Sequence, residues 1–93
     1  MMVISIIIIF LLFSSASAQQ KQSESYDRAI LDFTKALEID PRLGEPYKNR
    51  AIAYYSKGEY EKSWKDGEKA QSLGCLIHPE FLDKLRKASG KQN

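Results

Sequence analysis

Few side chains in this sequence could do covalent or acid–base chemistry. The 93 residues include one cysteine and one histidine, Cys75 and His78, both in the stretch "GCLIHP". A thiol–imidazole pair needs the base held beside the nucleophile, and here a turn separates them. Nothing else in the sequence points to a nucleophile for His78. Its place before Pro79 suits a helix cap instead. No Cys/His cluster of the kind that holds zinc is present. The carboxylates Asp27, Glu38, Glu59, Glu61, Asp66 and Glu68 are interleaved with Lys and Arg at helical spacings. That pattern reads as a solvated, salt-bridged face, worth about a few tenths of a kcal/mol per pair. With no glycine-rich phosphate loop either, the sequence predicts no catalysis, no cofactor and no metal.

The aromatic residues offer a second chemistry. Tyr47, Tyr54, Tyr55, Tyr60 and Trp64 fall within eighteen residues. Such rings could stack a ligand or cage a cation. They could equally be the large half of a packing alternation whose small half is Ala51, Ser63 and Ala70, letting two helix axes approach. The spacing favours packing. Tyr55 is the exception, one residue past the packing position.

The elements that position these residues repeat. "YDRAILDFTKALEIDP" (26–41) aligns without a gap on "YEKSWKDGEKAQSLGC" (60–75), at a constant offset of 34. Small and apolar residues recur three and four apart in each copy, which predicts amphipathic helices. Between them "GEPYKNRAIAYYSKG" opens near Pro46 and closes on Gly58, the signature of a third helix. Short turns make the three antiparallel neighbours. A terminal helix is expected over "LIHPEFLDKLRKASG", with His78 at its cap, an apolar stripe of Phe81, Leu82 and Leu85, and Gly90 at its end.

Helix, tight turn and helix at this period resembles the tetratricopeptide repeat, TPR. The matching residues are Tyr47, Ala51, Tyr54, Gly58, Tyr60, Ser63 and Ala70 for a complete repeat. Tyr26, Ala29, Phe33, Ala36 and Pro41 match the half-repeat before it. The resemblance implies an all-α helical-hairpin solenoid in which these positions are structural packing. Three departures stand out: Arg50 where a large aliphatic residue is usual, Gly67 in place of the aromatic at Phe33, and Cys75 in place of Pro41. Trp64, one turn away, is expected to fill the volume that Gly67 vacates.

The resemblance further implies that the helix 44–57 lines a concave surface. Glu45, Lys48, Asn49, Ile52, Tyr55 and Ser56 project onto it, and Lys48, Asn49, Ile52 and Tyr55 are the expected protein- or peptide-contacting residues. The Asn49 amide can donate and accept towards a peptide backbone, and Lys48 can meet a carboxylate. Ile52 stands where TPRs that bind chaperone tails carry asparagine, which argues against that specificity.

Residues 1–18 carry no charge, and an apolar run from Val3 to Phe13 leads to Ala16-Ser17-Ala18. This matches a cleaved signal peptide, although "MMV" lacks the usual basic residue. The expected organisation is a signal peptide over 1–18, a polar linker over 19–24, and a TPR region over 25–75. The last divides into a half-repeat at 25–41 and a full repeat at 44–75, with a capping helix and tail over 76–93. The net charge is +2 with mixed signs, so no nucleic acid or acidic membrane is expected. The lone Cys75 cannot form an internal disulfide.

The reading is an exported, secreted or periplasmic, non-enzymatic module that binds protein. The alternative is a single-pass membrane-anchored assembly subunit that retains residues 1–18. The half-repeat lacks its first helix. The face of Ala29, Ile30, Phe33 and Leu37 is therefore expected to need cover from a second copy, giving a homodimer, or from another protein. The rival is a remnant of a longer TPR protein.

Overall fold

The computed structural model describes residues 22–91; the expected signal segment, the first part of the linker and the last two residues lie outside that range. Four helices account for most of it: α1 over 22–39, α2 over Gly44–Lys57, α3 over Tyr60–Ser72 and α4 over Pro79–Ser89. No strand occurs among the described residues. The protein is all-α, built from antiparallel hairpins, as the hydrophobic periodicity requires.

Each helix stops for a local reason. Gly58 takes the left-handed conformation (φ 83°), so its own N–H reaches the Tyr55 carbonyl and that of Glu59 reaches Tyr54. Two orphan carbonyls of α2 are thereby satisfied. At the end of α3, Gly74 and Cys75 donate to Gln71 and Ala70 in the same manner. Pro41 has no N–H and cannot copy this at the equivalent end of α1. There Asp40 accepts the Arg42 N–H at 3.0 Å instead. Pro41 is exposed, so it acts as a turn residue rather than as packing. His78 caps α4, its Nδ1 accepting the Glu80 N–H at 3.2 Å, with Pro79 next.

α2 and α3 approach closely because their facing residues are small. Ala51, Ser63 and Ala70 are fully buried, and the Ser63 hydroxyl donates to the Ala51 carbonyl at 2.6 Å. At the other end of the hairpin a Cβ on Gly44 would lie 2.8 Å from that of Cys75, so only glycine allows the approach.

The offset of 34 holds in space as well as in sequence. Lys57 at the end of α2 pairs with Asp27 on α1; Lys91, just past α4, pairs with Glu61 on α3 at 3.5 Å. Ala51 and Leu85 are also 34 apart, and both are fully buried. The terminal helix therefore stands where the first helix of a further repeat would stand.

Three expectations need correction. Residues 22–24, assigned to a polar linker, are helical; the segment has no glycine or proline to stop the helix. The space beside Gly67 is not filled by Trp64. Leu85 and Ile77 cover it, with methyl groups 3.8 and 3.9 Å from where a Cβ would stand. The uncovered residues of α1 also differ from those expected. Leu37 is buried and Ala29, Ile30 and Phe33 are half-buried, whereas Leu31 (52%) and Ile39 (86%) are exposed.

Candidate functional site

α2 carries two different surfaces. One faces α1 and α3 and holds a polar network. Arg50 donates through Nε and Nη2 to the Asp66 carboxylate at 2.6 and 2.8 Å, and through Nη1 to Thr34 Oγ1 at 3.1 Å. Thr34 in turn donates to the Ile30 carbonyl at 2.7 Å. Asp66 is only 6% exposed, so the expectation of a solvated position is wrong for it. The adjoining carboxylate holds the Arg50 guanidinium above its ordinary pKa. Tyr47 and Tyr54 flank the guanidinium, with ring centres at 5.6 and 5.9 Å, which adds cation–π attraction. Arg50 thus occupies an aliphatic position because three acceptor atoms, two from Asp66 and one from Thr34, and two rings receive it.

The other surface is a groove. Lys48 and Ile52 of α2 form one wall, and Leu76, Ile77, Pro79 and Phe81 form the other, around a depression of about 650 Å³. Leu76 is 92% exposed and Ile52 44%. Lys48 and His78 are the polar groups at its edge, and no carboxylate lines it. Lys48 is held by Glu45 at 3.3 Å. The groove continues past Lys48 and Leu76 into a second depression bounded by Gly44, Leu73 and Cys75, where the Glu45 carboxylate does line the wall. It offers apolar walls and a rim on which Lys48 is paired with Glu45. Among the described residues no group of His, Cys, Asp and Glu could hold a metal.

The four residues expected to contact a partner do not all meet here. Lys48 and Ile52 share the groove, while Asn49 and Tyr55 are half-buried and outside its lining. The Tyr55 ring is engaged with Tyr60 at 5.4 Å and edge-on with Phe81 at 5.5 Å. It fastens α4 to the hairpin, so it belongs to packing rather than to a free surface. Tyr60, expected inside, keeps 36% of its surface exposed. Tyr47 and Tyr54 are half-buried against Arg50, and Tyr26 is half-buried on α1. The contribution of the 76–78 connection was not legible in the sequence, since an extended segment has no helical period. Its signal was the apolar pair Leu76-Ile77 ahead of the cap.

No protein-family model matches the chain, and no solved structure does. Curated relatives exist. The chain is 33% identical over 82 residues to the small glutamine-rich tetratricopeptide repeat-containing protein 2 of Mycosarcoma maydis, covering 86% of this chain and 22% of that protein. It is 47% identical over 47 residues to tetratricopeptide repeat protein 36 of Caenorhabditis elegans, covering 50% of this chain and 26% of that one. It is 32% identical over 60 residues to the Hsp70-Hsp90 organizing protein 3 of Arabidopsis thaliana, covering 64% and 11%. The chain thus spans about a quarter or less of the length of these relatives. Two of them carry the repeat in their names, and the helices here keep its 34-residue spacing. The protein is TPR-like.

Proposed function

We propose that this protein is a non-enzymatic interaction module that holds a short segment of another protein in the groove between α2 and residues 76–81. The observation that carries this is the apolar groove itself, with Leu76 and Ile52 held open to solvent beside Lys48. Burying apolar side chains yields about 25 cal/mol per Å², so the walls favour a partner with bulky apolar residues. Resemblance to TPR proteins, one of them named as an organizer of Hsp70 and Hsp90, supports a protein ligand. Ile52 argues against the chaperone-tail mode, because it offers no amide to a terminal carboxylate. The outer edge of α1 is a second contact surface, for another copy or another protein. The composition of residues 1–18 supports export after cleavage before Gln19; an intact mass including Met1 would instead support the anchored form.

The test is a panel of short extended peptides, each with one bulky apolar residue, titrated onto the labelled protein by NMR. Binding should shift the amides of Ile52, Leu76 and Phe81. Substituting Ile52→Asp should weaken it by about tenfold or more, as for the centre of an interface. Shifts confined to α1 and the far side of α3, or indifference to Ile52→Asp, would refute the groove.

A further inference from the structure

Among the described residues one first-type helix pairs fully with a second-type helix, α2 against α3, while α1 and α4 each lack such a counterpart. α1 repeats α3 at an offset of 34, but no described helix covers the face that α3 turns to α2. On α3, Ser63, Asp66 and Ala70 are buried at 0%, 6% and 0%. Their equivalents on α1 are half-buried Ala29, exposed Asp32 and half-buried Ala36. Leu73, half-buried, corresponds to Ile39, which is 86% exposed. The described backbone also runs helically through 24–25, where the turn equivalent to Gly58-Glu59 would fall. The chain therefore does not fold back there in the manner of α2 and α3.

α4 is the converse. It stands as a first-type helix beyond α3, and its outward face meets no second-type helix among the described residues. Shifting α2 by 34 residues places Lys84 where Arg50 is and Ala88 where Tyr54 is. Both Lys84 and Ala88 are exposed. We propose that α4 of one copy covers the open face of α1 in a second copy, so that chains assemble head to tail and Lys84 meets Asp32 as Arg50 meets Asp66. This rests on the reading of the α1 edge as a contact surface and supplies its occupant. The template is the α2–α3 pairing already present inside the chain, and the charges complement. With Ala88 in place of a tyrosine, and Leu85, already buried in its own chain, in place of the small Ala51, the contact is looser and buries less than its internal counterpart, so assembly is weak and rises with concentration. Such a contact is heterologous and leaves both ends open, which permits growth beyond two chains.

Sedimentation equilibrium of the full chain over a concentration series tests this. The mass should climb past two chains without a plateau. Asp32→Lys alone and Lys84→Asp alone should each weaken association by about tenfold or more, because like charges then face each other. An equimolar mixture of the two variants should associate again, since each supplies the complement the other lacks. Far-UV circular dichroism checks that both variants fold, as expected for exposed positions. Association lost with Asp32→Lys but unchanged by Lys84→Asp would overturn the α4 assignment and leave the α1 edge as a contact surface. Association indifferent to Asp32→Lys would overturn both. A single-chain mass at every concentration would overturn the assembly.

Discussion

Arg50 on α2 grips Asp66 on α3 with two hydrogen bonds, at 2.6 and 2.8 Å, across a helix pair that is otherwise closed by alanine and serine. Desolvating a carboxylate and a guanidinium costs several kcal/mol each, and the mutual attraction offsets this only while both partners remain. The pair therefore specifies how α2 and α3 register more than it stabilises them. Thr34 extends the grip to α1, so one guanidinium sets the relative placement of three helices.

Removing one partner should consequently be worse than removing both. Asp66→Ala strips a half-buried guanidinium of its carboxylate and is expected to cost about 1–3 kcal/mol, a large share of the stability of a domain this small. Arg50→Leu combined with Asp66→Ala restores an apolar seam and should recover most of that loss. Thermal melts of the three forms by circular dichroism decide it. A double variant no more stable than Asp66→Ala would show that the pair acts through something other than charge burial.

The two helical glycines should respond in opposite directions. At Gly67 the nearest atoms to an added Cβ are at 3.8 and 3.9 Å, ordinary contact distances. Gly67→Ala should therefore gain about 1 kcal/mol from helix propensity, which is a rise of roughly 4–8 °C in melting temperature for a domain this small. At Gly44 the added Cβ meets Cys75 at 2.8 Å. Gly44→Ala should lose about 1–3 kcal/mol as in an overpacked core, and Cys75→Gly in the same chain should return part of it. Equal effects at the two sites would contradict the packing of α2 against the end of α3.

These contrasts mark what a sequence can disclose. The stop at Gly58 and the cap at His78 are local signals, each carried by a few neighbouring residues, and the period of 34 shows when one stretch of sequence is laid over another. The Arg50–Asp66 pair joins residues sixteen apart in sequence on different helices, and an arginine at a helix position of aliphatic character was its only sign. α4 keeps the repeat in space while sharing little of its sequence, so its equivalence to α2 emerges from the paired contacts Lys57–Asp27 and Lys91–Glu61. The groove draws half its wall from an extended connection, where no periodicity exists to be read. Tyr55 lay in the register of the concave face, but Phe81 arrives from α4 to take it.

The turn between α2 and α3 also carries a pH response. Glu59, at the N-cap of α3, bonds Lys62 at 3.2 Å and lies 3.5 Å from Lys57. The Lys62 ammonium foremost, with Lys57 behind it, holds the Glu59 carboxyl below its ordinary pKa. A carboxylate depressed in the folded state contributes stability that is fully present above its unfolded pKa and is lost as pH falls through the folded value. Asp40, depressed chiefly by the Arg42 backbone N–H, acts in the same direction at the end of α1. Stability should therefore be level at neutral pH and decline once the solution passes below the ordinary glutamate range. Glu59→Gln should flatten part of that decline, and adding Asp40→Asn should flatten more. The measurement is the urea midpoint of each form across the acid range. A decline of unchanged slope in the double variant would assign the acid sensitivity to other carboxylates.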